Sequence, residues 1–142
     1  MQPFRIAILG LWHLGEIYSA GLAELGHEVI GISEDEELIA NFNKGEPPLP
    51  EPGLKELIIK NQSEGRLRYS VDFSEIARVN VLWLTFDTPV SEDDEVDLSP
   101  VWDALEKSLP HLSSPVLLIV SSQIPVGTSE QICSFIRRSR SD

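Results

Sequence analysis

The stretch ILGLWHLGEIYSAGLAELGHEVIGISEDEE, residues 8–37, constrains the fold more than any other part of this chain. An apolar run enters a turn bounded by Gly10 and Gly15, a helix-period segment runs to Gly26, and a second apolar run ends in acids. A strand, a glycine turn, a helix and a second strand make a βαβ unit, and the crossover helix forces the two strands to pair in parallel. Within LGEIYSAGLAEL, Ile17, Ala20, Leu22 and Leu25 fall near helical spacing, and Gly26 supplies the stop.

The same alternation continues downstream. SEDEELIANFNKG predicts a helix with acids in its first turn, where the helix dipole favours them. EPPLPEPG, with four prolines in eight residues, predicts an irregular segment. PGLKELIIKN predicts a helix with Pro52 at its first position. RLRYSV reads as a short strand, VNVLWLTF (79–86) as a central strand buried on both faces, and SPVLLIVSS as another buried strand. SPVWDALEKSLP predicts a helix capped by Ser99 with Pro100 at its first position, and TSEQICSFIRRS a last amphipathic helix capped by Thr128. The sum is an α/β fold of Rossmann type: a doubly wound, mainly parallel sheet with helices on both faces. At 142 residues it is one domain's worth.

Charge narrows the partners. A net charge of −12 opposes phosphate-backbone binding, so no nucleic acid partner is expected. Arg137, Arg138 and Arg140 read as a solvated helix end. No apolar run approaches the roughly 20 residues of a membrane span, and a single cysteine, Cys133, makes no disulfide framework. A cytoplasmic setting is the expectation. Cys133 reads as a small buried or half-buried helix residue, His13 as a turn residue, and His27 and His111 as solvated. Asp93, Asp94 and Asp97 read as an acidic loop without metal-ligand spacing.

The chemistry of such a sheet lies beyond the carboxyl ends of its strands. In GLWHLG, Gly10 makes the tight turn, Gly15 lets helix and strand approach, and the helix N-terminus offers unpaired N–H groups to a pyrophosphate. Trp12 stands where the motif has its middle glycine, so the indole either fills the phosphate site or swings outward. Glu16 adds negative charge near the phosphates. The second strand ends in Ser33 where an acid usually holds the ribose hydroxyls, leaving Glu34 or Asp35 as substitutes. The acids at 34–37 would repel a 2′-phosphate, which favours NAD over NADP; the plainer reading of those acids is a charged helix start.

The turn, EPGLKELI, TPVSEDDEVDLSPV and SSQIPVGTSEQI occur in order over nearly the whole chain. In this the chain resembles the N-terminal NAD-binding domain of the UDP-glucose/GDP-mannose dehydrogenase family, whose members oxidise a sugar-nucleotide alcohol to a uronic acid in two NAD-dependent steps. The resemblance implies a pyrophosphate turn at Gly10 and Gly15, a match of Glu51–Leu54 to the family's EPGL segment, and cofactor proximity for Thr88 and Pro89. It also implies that Ser122, Pro125 and Gly127 form the loop after the fifth strand. The departures are Trp12, Ser33, Asp87 and Gln123. The candidate cofactor contacts are Gly10, Leu11, Trp12, His13, Leu14, Gly15, Ser33, Glu34, Phe86, Thr88, Pro89 and Ser122.

The family's catalytic cysteine and sugar-nucleotide pocket lie beyond its first domain, so residues 1–142 are expected to be a single cofactor domain without catalytic residues. Two readings stay open: a truncated dehydrogenase domain whose degenerate site binds NAD weakly or not at all, and a non-enzymatic interaction module on the same fold. The second would favour a homodimer through an exposed patch, for which Ile132, Phe135 and Ile136 are candidates.

Overall fold

A computed structural model describes residues 2–88, 96–113 and 115–139. Five strands form one parallel sheet: β1 (Arg5–Leu9), β2 (Glu28–Ile32), β3 (Leu67–Ser70), β4 (Val81–Leu84) and β5 (Leu117–Val120). Their order is β3-β2-β1-β4-β5. The chain winds outward from β1 to β3, then returns to the other side of β1, so the strand order reverses between β1 and β4. That reversal opens a crevice at their carboxyl ends.

Alternation along each strand feeds two cores. Ile6 and Ile8 of β1 face a layer containing Ala20 and Ala23 of α1 (His13–Glu24), Ile39 and Phe42 of α2 (Glu36–Asn43), and Leu54 and Ile58 of α3 (Leu54–Ser63). Ala7 and Leu9 face the opposite layer, with Val101 and Leu105 of α4 (Ser99–Ser108) and Ile132 of α5 (Thr128–Ser139). Helices therefore cover both faces, as the sequence predicts.

Several details differ from expectation. The helix expected to open at Pro52 begins at Leu54, because Gly53 at φ 80 takes the N-cap in a left-handed conformation and leaves Pro52 outside. Ser99 is the first helical residue and not the cap; its N–H donates to Asp97 Oδ1 at 2.9 Å. Thr128 likewise lies inside α5, as its first residue. Short 3-10 turns at Phe73–Ile76 and Leu109–His111 carry no periodic signal in sequence.

The strand expected to be buried, β5, is an edge strand: Leu117 is 61% exposed and its neighbours are half-buried. An apolar run specifies a strand, but whether a neighbour covers it is decided by sheet order. Cys133 is exposed, which corrects the expected burial. On the apolar face of α5, Ile132 is buried in the core, whereas Phe135 and Ile136 pack against it and stay half-buried. His27 is tied in by its Nδ1, which accepts the Phe4 N–H at 3.2 Å.

Candidate functional site

The crevice at the reversal point is a cavity of about 440 Å³. Its floor is the end of β1 and the glycine turn. Gly10 adopts φ 95, and a Cβ there would stand 2.6 Å from the Phe86 backbone nitrogen. Thr85 Oγ1 donates to the Gly10 carbonyl at 2.8 Å, fastening the turn to the end of β4. The turn is thus held by sterics and by one hydroxyl.

Trp12 is the N-cap of α1, in an extended conformation at φ −112 that any residue adopts. It provides no side-chain cap. Trp12 is 47% exposed and lines the cavity beside Gly10 and Leu11. The first regular helical bond runs from Glu16 N–H to the Trp12 carbonyl at 2.8 Å. The N–H groups of His13, Leu14 and Gly15 therefore have no acceptor within the helix, the arrangement that attracts anions.

The β2 end is already engaged. Ser33 Oγ accepts the Asp35 N–H at 3.2 Å, and Asp35 Oδ1 caps α2 by accepting the Leu38 N–H at 2.9 Å. Glu34 remains, and Lys107 of α4 donates to its Oε2 at 2.5 Å. That bond holds the Lys107 ammonium above the usual lysine range. Glu34, Asp35, Asp87 and Asp103 all line the cavity, and among the described residues Lys107 is the one cationic side chain beside them. The wall is net negative.

Six expected contacts line this cavity: Gly10, Leu11, Trp12, Ser33, Glu34 and Phe86. His13, Leu14 and Gly15 lie in the first turn of α1 and do not line it. Thr88 is buried, and its Oγ1 donates to the Gln123 carbonyl at 2.5 Å, joining the loops that follow β4 and β5. Ser122 Oγ is buried without a partner among the described residues. Pro89, Asp93, Asp94 and Arg140 lie outside the described residues. Sequence reasoning did not find Lys107, Leu38 or Phe73, which reach the crevice from separate elements.

Behind the glycine turn, the segment from Glu46 to Gly53 lies over the first turn of α1. His13 Nε2 is 3.7 Å from Glu51 Oε1. Glu16 is fully buried beneath, accepting the Leu49 N–H at 3.4 Å on Oε2. Its Oε1 has no partner among the described residues. Burial pushes the Glu16 carboxyl up to about 6, against the opposing pull of the Leu49 N–H. It does not line the cavity but lies behind the turn, in the first turn of α1.

Comparison with known proteins places this geometry. The chain is 30% identical over 133 residues to UDP-glucose 6-dehydrogenase YwqF of Bacillus subtilis, covering 93% of this chain and 30% of that protein. A UDP-glucose 6-dehydrogenase of Pseudomonas aeruginosa is 31% identical over 134 residues, with 94% and 30% covered. Among solved structures, GDP-mannose dehydrogenase of Pseudomonas aeruginosa, in a ternary complex, superposes with TM-score 0.90 at 26% identity, covering 97% of this chain and 33% of that one. UDP-D-ManNAc dehydrogenase of Pyrococcus horikoshii gives TM-score 0.89 at 29% identity, with 94% and 32% covered. The chain thus spans about 30% of the length of the curated relatives it matches. Residues 4–142 match the NAD binding domain of the UDP-glucose/GDP-mannose dehydrogenase family, and the chain belongs to that family.

Proposed function

We propose that residues 1–142 form a single dinucleotide-binding domain that takes NAD weakly and does not turn over a sugar nucleotide by itself. The observation that carries this reading is the crevice: about 440 Å³ beside the free N–H groups of α1, but with its ribose end closed by the Glu34–Lys107 pair. The residues fit NAD at the pyrophosphate end. Gly10 and Gly15 allow the tight turn, and first-turn N–H groups receive an anion without any side chain. They fit it less well at the ribose end, where Ser33 and Asp35 are engaged in local turns. When bound, NAD supplies the hydride acceptor; the chain's part is to hold and orient it.

Four carboxylates at the cavity wall disfavour a further phosphate, so NADP binds more weakly than NAD. Titration calorimetry of the chain with NAD, NADH and NADP is the test. The expected NAD dissociation constant is on the order of 1 mM, about −4.1 kcal/mol. Lys107→Ala frees Glu34 for the ribose, and Trp12→Gly clears the approach to the turn. Each is expected to tighten NAD by roughly threefold to tenfold, tenfold being about 1.4 kcal/mol.

One observation favours a second reading, an interaction module that no longer takes the cofactor: Glu34, the acid left at the ribose end, is paired with Lys107. No binding heat up to several times that concentration, in the wild type and in both variants, would select it.

A further inference from the structure

We propose that dinucleotide capture by this chain takes up a proton at Glu16, a buried carboxyl sealed under the 46–53 segment behind the pyrophosphate turn. The inference rests on the reading that the crevice binds NAD. It starts from a placement that is unusual for a charged group. Glu16 lies one residue past Gly15, is fully buried, and has one carboxyl oxygen without a partner among the described residues. Among the described residues its other oxygen accepts only the Leu49 N–H, at 3.4 Å.

A carboxylate in the first turn of a helix is ordinarily favoured by the dipole. Here desolvation outweighs that, and the carboxyl titrates at about 6. The groups facing it do not neutralise it. On its own helix, His13 lowers it slightly and is itself turned to Glu51 at 3.7 Å; from the overlying segment, Glu51 raises it. From β3, Tyr69 presents a hydroxyl bonded to Ser19 at 2.8 Å, and burial holds that phenol well above its usual range, so it stays neutral. Glu16 is therefore a proton site within reach of physiological pH.

A pyrophosphate on the N–H groups of His13, Leu14 and Gly15 would place a second negative charge at the same helix end. The ligand competes with Glu16 for the one positive dipole, and two anions sharing it raise each other's proton affinity. Binding then favours the protonated carboxyl, and by linkage affinity falls as pH rises above about 6. The proton comes from solvent, and no covalent step is involved.

The experiment is calorimetry with NAD at pH 6.5 in two buffers of different ionisation enthalpy, repeated from pH 5.5 to 8. The wild type should take up a fraction of a proton, and its dissociation constant should rise by roughly threefold to tenfold across that range, tenfold being one unit of linked pKa change. Glu16→Gln should bind without that uptake. Imidazole is the side-chain type that changes charge between pH 5 and 8, so His13→Gln is the control and should retain the uptake. Buffer-independent heat with a flat pH profile overturns the proposal, as does uptake that persists in Glu16→Gln and disappears in His13→Gln. Absence of any NAD heat overturns both this inference and the reading beneath it, whereas binding without uptake overturns this inference alone. Carboxyl carbon shifts of labelled wild-type protein give an answer that needs no variant to fold. The Glu16 midpoint should move up on saturation with NAD, and an unmoved midpoint is contrary to the proposal.

Discussion

A methyl group on Gly15 would stand 2.1 Å from the Gly10 carbonyl oxygen and 2.8 Å from Thr85 Oγ1. Neither the turn carbonyl nor the end of β4 can withdraw without opening the crevice. Gly15→Ala is therefore expected to destabilise the chain near or beyond the upper end of the about 1–3 kcal/mol typical of overpacking. Gly21, two turns further along the same helix, has nothing within 4 Å of an added Cβ. Gly21→Ala should stabilise by up to about 1 kcal/mol, through helix propensity and a less flexible unfolded chain. Urea unfolding of the two variants should move in opposite directions. The contrast also shows what is legible locally. Gly10 and Gly15 announce themselves because close approach leaves no alternative residue, whereas the placement of the Trp12 indole depends on surroundings that the six residues of the turn do not encode.

Helix α1 is tied to β3 through the side chain of Ser19. Ser19 Oγ bonds the Tyr69 hydroxyl at 2.8 Å and donates to the Glu16 carbonyl at 2.9 Å, while the Tyr69 ring stacks on Phe42 at 4.3 Å between centroids. Tyr69→Phe keeps the stacking and leaves Ser19 with its backbone acceptor. The expected loss is about 1 kcal/mol, read by chemical denaturation; a loss several times larger would mean that the hydroxyl holds α1 in place by more than one bond. Element identity was largely readable in the chain, because period and glycine placement are local properties. Burial was not. The run LLIV looks the same in a central strand as in the edge strand β5, and Cys133 faces solvent only because Ile132, Phe135 and Ile136 take the inner face of α5. The site was readable to the same limit. The glycine turn and Ser33 are adjacent to their own strands, but the Glu34–Lys107 pair joins residues 73 apart, and the Leu49–Glu16 bond residues 33 apart. No spacing rule connects them.

The whole chain carries 23 acidic against 11 basic residues, and its pH response depends on which carboxyls are perturbed. Glu24, Asp72 and Asp97 are held below the usual carboxylate range by side-chain hydrogen bonds, from Lys60, Ser74 and Ser99 respectively. Groups of that kind contribute stability above their unfolded values and lose it as pH falls through the folded ones, so they act at the acid end. Glu16 has the opposite sign. Its carboxyl is raised from 4.5 to about 6, so the native state binds more protons than the unfolded state between those values. Stability associated with Glu16 is complete below pH 4.5 and is lost as pH rises through about 6. A shift of that size corresponds to at most about 2 kcal/mol. Urea unfolding from pH 5 to 8 should therefore show the wild type weakening toward neutrality. Glu16→Gln should weaken less, because an amide has no charge to desolvate. The gap between the two curves should already be opening at pH 5, be largely complete by about pH 6 and stay constant above about pH 7. A gap independent of pH would assign the effect to packing under the 46–53 segment, with the carboxyl's charge contributing nothing.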